Sequence, residues 1–130
     1  MKIILLSGES GAGKSTALHR LFNILSENGT KNVIKKEFIN KKDPCSDADY
    51  IVKYNKKEIA IVTYGDILWK CIKSIIEYAN LDVLVLAYNN RFSIGLDKMV
   101  SKYDYHCLIK KSKPNEDDCV FVCNEIITKL

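Results

Sequence analysis

Two rhythms of apolar residues alternate along this chain. Ile3-Ile4-Leu5-Leu6, Ile59-Ala60-Ile61-Val62 and Val83-Leu84-Val85-Leu86-Ala87 are short continuous apolar runs, and runs of that length bounded by polar residues predict strands covered on both faces. Ala17, Leu18, Leu21, Phe22 and Leu25 recur with the spacing of one helical face and predict a helix over 14–27. Leu68, Cys71, Ile72, Ile75, Ile76 and Ala79 predict a second helix that starts near Asp66. Val120, Cys123, Ile127 and Leu130 line a closing helix, and a further one is expected over 94–101, weakened by Gly95.

Less regular segments fill the intervals. Asn28-Gly29 suits a left-handed cap on the first helix, Val33 to Phe38 and Tyr105 to Ile109 read as strands, and the "NKK" between Tyr50–Tyr54 and Glu58–Thr63 suggests a hairpin. The polar stretch "INKKDPCSDAD" is the longest irregular region and a candidate substrate lid. Strands alternating with helices predict one α/β domain over residues 1–130, a three-layer α/β/α sandwich with a mainly parallel sheet of about five strands plus the hairpin strand at 50–54. Ligands of such sheets bind beyond the carboxyl ends of the strands, so "SGESGAGKST", "TYGD" and "AYNNR" are expected to converge.

The first of these carries the chemistry. Gly8, Gly11 and Gly13 allow the backbone to form a concave nest of N–H groups, and the helix that follows begins with N–H groups lacking intrahelical partners. Lys14 adds a full positive charge, Ser15 a hydroxyl ligand for Mg²⁺, and Thr16 a hydroxyl for the α-phosphate side. Chance would produce Gly8-x-x-x-x-Gly13-Lys14-Ser15 in well under ~1% of chains this long, which favours the phosphate reading over a flexible turn.

Gly8 to Ser15 resembles the Walker A motif of P-loop NTPases. The resemblance implies a P-loop NTPase fold, with ATP or another NTP and Mg²⁺ held by Gly8, Glu9, Ser10, Gly11, Ala12, Gly13, Lys14, Ser15 and Thr16. Phosphoryl transfer further needs a carboxylate near the metal, a base and a transition-state cation. The Walker B motif usually ends a hydrophobic strand with Asp. Here "IAIV" is followed by Thr63, and the nearest acid is Asp66, which reaches the magnesium shell or caps its helix. Arg91 resembles a reduced version of the lid arginines of P-loop kinases, and Glu37 stands where several small-molecule kinases keep an acid beside the acceptor hydroxyl. "FINKKDPCSDADYIV" bears a fainter likeness to guanylate kinase around Asp49-Tyr50, without that family's arginines.

Composition narrows the choices. The 130 residues carry a net charge of +4 and are 47% apolar, which fits a globular domain whose modest positive charge serves anionic ligands or solubility alone. No apolar run approaches a membrane span, so no membrane partner and a cytoplasmic location are expected. The lysine pairs are dispersed, which argues against a nucleic-acid stripe. Five cysteines without a secretory signal point to reduced thiols, with Cys119 and Cys123 in the core. His19, His106 and Trp69 are assigned structural roles and Arg20 an exposed one. The expected activity is a kinase-like transfer of the ATP γ-phosphoryl to a small acceptor such as a nucleoside or nucleotide. The alternative is a nucleotide-binding regulatory module whose hydrolysis is weak or depends on a protein partner.

Overall fold

The computed structural model describes the whole chain apart from residues 10, 28–30, 44–45, 93–97 and 110–115. Its elements run β1 (Lys2–Gly8), α1 (Lys14–Leu25), β2 (Val33–Phe38), β3 (Ala48–Tyr54), β4 (Lys57–Val62), α2 (Leu68–Glu77), β5 (Val83–Asn89), a 3₁₀ turn (Asn90–Phe92), β6 (Asp104–Ile109) and α3 (Glu116–Lys129). Residues 98–100 are also helical. The Asn28-Gly29 cap and the start of the helix expected over 94–101 lie outside the described residues.

Six strands form one sheet in the order β2-β3-β4-β5-β1-β6. β1 pairs in parallel with β5 and β6, and β4 in parallel with β5. β3 is antiparallel to both β4 and β2. The sheet is therefore mixed: the hairpin strand expected at 50–54 is β3, and because it lies between β2 and β4, two of the five strand pairings are antiparallel. The reason is local: Tyr54 pairs with Lys57 across only Asn55 and Lys56, both at positive φ (49° and 65°), and a two-residue turn joins antiparallel neighbours only.

Alternation along the strands sends side chains to two cores. Ile4, Leu6, Ile59, Ile61, Val83 and Val85 meet Leu18, Leu21 and Phe22 of α1 and Cys119, Val122 and Cys123 of α3 on one face. Ile3, Leu5, Ala60, Leu84 and Leu86 meet Cys71, Ile75 and Tyr78 of the α2 side on the other. Helices thus cover both faces, and the strand residues between them are buried without a polar side, as continuous apolar runs require. Trp69 departs from its expected core position. α2 buries Lys70, Cys71, Ser74 and Ile75, which leaves Trp69 and Ile76 on the outer surface at 64% and 67% exposure.

The topology gathers the ends of β1, β4 and β5 at one edge. Because β3 runs the other way, its beginning, not its end, reaches that edge. Ala48 exchanges hydrogen bonds with Thr63 there: the Thr63 N–H donates to the Ala48 carbonyl (3.1 Å) and the Ala48 N–H donates to Thr63 Oγ1 (2.9 Å).

Candidate phosphate-binding site

Between β1 and α1 the chain turns through Gly11 and Gly13, whose φ values of 82° and 93° lie in the left-handed region that glycine tolerates. A Cβ on Gly11 would meet nothing within 4 Å, so the requirement there is conformational. Gly13 stands at the N-cap of α1, no side chain caps that end, and the first turn holds no acidic residue. A helix N-terminus of that kind is able to receive an anion.

Lys14 is the centre of the site. Its side chain is 4% exposed, and its ammonium donates to the carbonyls of Gly8 (3.1 Å) and Glu9 (2.7 Å) while standing 3.6 Å from Asp66 Oδ1. Gly65 makes room for it: a Cβ on Gly65 would come within 2.8 Å of Lys14 Cε, 3.1 Å of Ala87 Cβ and 3.3 Å of the Tyr88 nitrogen.

Asp66 does not cap α2. That helix starts at Leu68 behind Ile67, with no side-chain cap, because Asp66 is drawn to the β5 edge. The Asn89 side-chain amide donates to Asp66 Oδ1 at 2.9 Å, and the Arg91 N–H donates to Asn89 Oδ1 at 3.1 Å. Asn89 is 3% exposed and in register with Gly8. The Asn89 N–H also donates to the Gly65 carbonyl (2.8 Å), and the Cys71 thiol contacts the carbonyls of Tyr64 (3.6 Å) and Ala87 (3.7 Å). Burial and the nearby Asp66 carboxylate push that thiol up to about 11, so it serves as an uncharged donor.

A second carboxylate, Asp47, completes the cluster. Its Oδ1 accepts from the Ser15 hydroxyl at 2.8 Å and from the Thr63 hydroxyl at 2.9 Å. A cavity of about 230 Å³ is lined by Gly11, Lys14, Ser15, Asp47, Thr63 and Asp66, among others. Lys14, Ser15, Thr16, Gly11, Gly13 and Asp66 are thus brought together as expected. Gly8 and Glu9 take part through their carbonyls. Ser10 lies outside the described residues, and Ala12 closes the turn with its N–H on the Glu9 carbonyl (3.1 Å).

Two expected residues stand apart. Glu37 pairs with Asp49 on the sheet face toward α2, 66% exposed and 3.9 Å from Lys35. The Arg91 guanidinium lies over the Phe92 ring, 5.5 Å from its centroid, and does not line the cavity. Asp49, singled out by the guanylate-kinase likeness, is buried on that same face, where Lys70 (3.1 Å) and the Tyr78 hydroxyl bond its Oδ2. Burial, chiefly, and then the carboxylates of Asp49, Asp47 and Glu37 raise the neighbouring Tyr64 phenol to about 12.

Comparison with protein-family models, with curated proteins and with solved structures finds no match. Among the described residues no helix is long and apolar enough to cross a membrane, and no group of three or more His, Cys, Asp and Glu side chains is arranged to hold a metal ion.

Proposed function

We propose that this chain is a P-loop phosphotransferase that binds a nucleoside triphosphate with Mg²⁺ and passes the γ-phosphoryl to a small acceptor. The observation that carries the reading is Lys14: a lysine ammonium held at 4% exposure beside an uncapped helix N-terminus, in a turn of two left-handed glycines. The Gly8 and Glu9 carbonyls and the Asp66 carboxylate hold that charge at the mouth of the turn, where it can exchange partners for the oxygens of an anion, and the Walker A resemblance of Gly8 to Ser15 supports polyphosphate as that anion. Helices on both faces of the sheet, with the loop at the ends of β1, β4 and β5, support a P-loop NTPase fold.

Mg²⁺ fits the donors present. It favours one or two carboxylates together with phosphate oxygens and water over a complete protein cage, and the hydroxyls of Ser15 and Thr63 already converge on the Asp47 carboxylate. Ser15 and Asp47 would hold the ion, with Asp66 beside Lys14; bound there, it would neutralise charge on the phosphates. Lys14 would exchange its carbonyl partners for phosphate oxygens, and Asn89 keeps Asp66 in place.

The positions of Glu37 and Arg91 favour a second reading, a nucleotide-dependent regulatory module, since neither the expected base nor the expected cation lines the cavity. Transfer of labelled γ-phosphate to nucleosides, nucleotides and small alcohols tests the choice. Label in an acceptor, lost in Lys14→Ala, supports the transferase. Tight triphosphate binding with no transfer to any acceptor supports the module.

A further inference from the structure

A second cavity, of about 320 Å³, lies between α1 and the β2–β3 hairpin, against Thr16, His19, Asn23, Lys36, Phe38 and Tyr50. We propose that it is a nucleobase slot. The proposal deepens the phosphotransferase reading and rests on it only for the phosphate-bearing part of the ligand.

Geometry identifies the occupant. The rings of His19 and Phe38 are 23° from parallel with centroids 6.5 Å apart, and both line the cavity with Tyr50, so its wall is aromatic, the kind of surface on which a flat heterocycle stacks. Tyr50 stands nearly perpendicular to both, at 5.7 and 6.0 Å, and forms the floor. It is stacked on Phe22 at 3.8 Å, and its hydroxyl shares a hydrogen bond of 2.6 Å with His19 Nδ1. The walls are thus positioned in advance, which lowers the entropic cost of binding.

The polar groups at the rim distinguish a heterocycle from a hydrocarbon. Asn23 offers both a donor and an acceptor to a ring edge, and the Lys36 ammonium sits 5.7 Å from the Phe38 ring centre. Thr16 lines both this cavity and the phosphate site, so a base here can carry phosphates toward Lys14. The base comes either from the triphosphate itself or from a nucleoside acceptor.

Calorimetry on the full chain separates these sources. The ligands are Mg²⁺-tripolyphosphate, four Mg²⁺-nucleoside triphosphates and the corresponding nucleosides. Variants are Phe38→Leu, which keeps an apolar side chain on β2, and Asn23→Ala at an exposed helix position. We expect Phe38→Leu to weaken base-bearing ligands at least tenfold, in line with losses from removed base stacking, and tripolyphosphate by less than twofold. Asn23→Ala should alter the ranking of bases. A loss confined to triphosphates assigns the slot to their own base; a loss for nucleosides that still bind beside a saturating non-hydrolysable triphosphate assigns it to the acceptor. Nucleoside binding that depends on Phe38, with no binding of tripolyphosphate, would keep the slot and remove the phosphate reading. The slot is overturned if both variants fold with unchanged circular dichroism and hold every base-bearing ligand within twofold of the parent.

Discussion

The Ser15 hydroxyl donates to Asp47 Oδ1 at 2.8 Å, joining the first turn of α1 to the segment just before β3. On the proposed phosphotransferase reading Asp47 is the carboxylate that would organise the metal, although it belongs to no strand end. As an anion beside a bound polyphosphate it would oppose metal-free nucleotide, whereas with Mg²⁺ it would share the cation.

Asp47→Asn should consequently narrow the gap between affinities in Mg²⁺ and in EDTA. We expect a loss of roughly tenfold or more with Mg²⁺ and equal or tighter binding without it, as read by calorimetry in the two buffers. An unchanged ratio would remove Asp47 from the metal's neighbourhood.

Gly65→Ala tests the space reserved for Lys14. The added methyl has 2.8 Å to Lys14 Cε and 3.1 Å to Ala87 Cβ, and crowding of that kind costs typically 1–3 kcal/mol. The variant should denature at lower urea and lose at least ~tenfold in Mg²⁺-triphosphate affinity. Gly11→Ala, where the methyl meets no atom within 4 Å, should show strain of backbone alone.

Burial lowers the pKa of His19 despite the nearby Asp47 carboxylate and a hydrogen bond with the Ser46 backbone, both of which favour the proton. A histidine harder to protonate when folded takes its proton first in the unfolded chain. Its effect is absent above the unfolded value of 6.5, and stability falls as pH drops below that value toward the lowered folded one. Urea titrations from pH 7.5 to 5 should show a smaller loss in His19→Gln than in the parent; parallel losses would mean that His19 is not held neutral.

Much of this architecture was legible in the apolar pattern. The runs at 3–6, 59–62 and 83–87 became interior strands, and the glycine-rich segment after Gly8 fell at the β1–α1 junction. Asp47 was not legible, because a search at the carboxyl ends of parallel strands overlooks an antiparallel strand that begins at the same edge; its one signal was the acid-rich "SDAD" leading into β3. Asn89 belongs to "AYNNR", one of the segments expected to converge, but its role is not legible there, for a different reason. β5, not β4, lies against β1, so the strand end nearest the loop carries an amide that positions Asp66 instead of a carboxylate. Glu37 was misjudged by face: in register with Asp49, it shares that residue's side of the sheet.

The hairpin turn offers a stability test away from the site. Lys56 has φ 65°, a conformation that favours glycine in a two-residue turn. Lys56→Gly should raise the urea midpoint, by up to about 1 kcal/mol in stability, with nucleotide affinity unchanged. A lower midpoint would contradict the turn geometry.

Calorimetric titration of Mg²⁺-nucleoside triphosphates into the parent and Lys14→Ala tests the central claim most directly. The account predicts saturable heat for the parent and an affinity lower by about a hundredfold or more when the buried ammonium is removed. A folded Lys14→Ala protein that binds within twofold of the parent, or a parent that takes up no triphosphate, would contradict it.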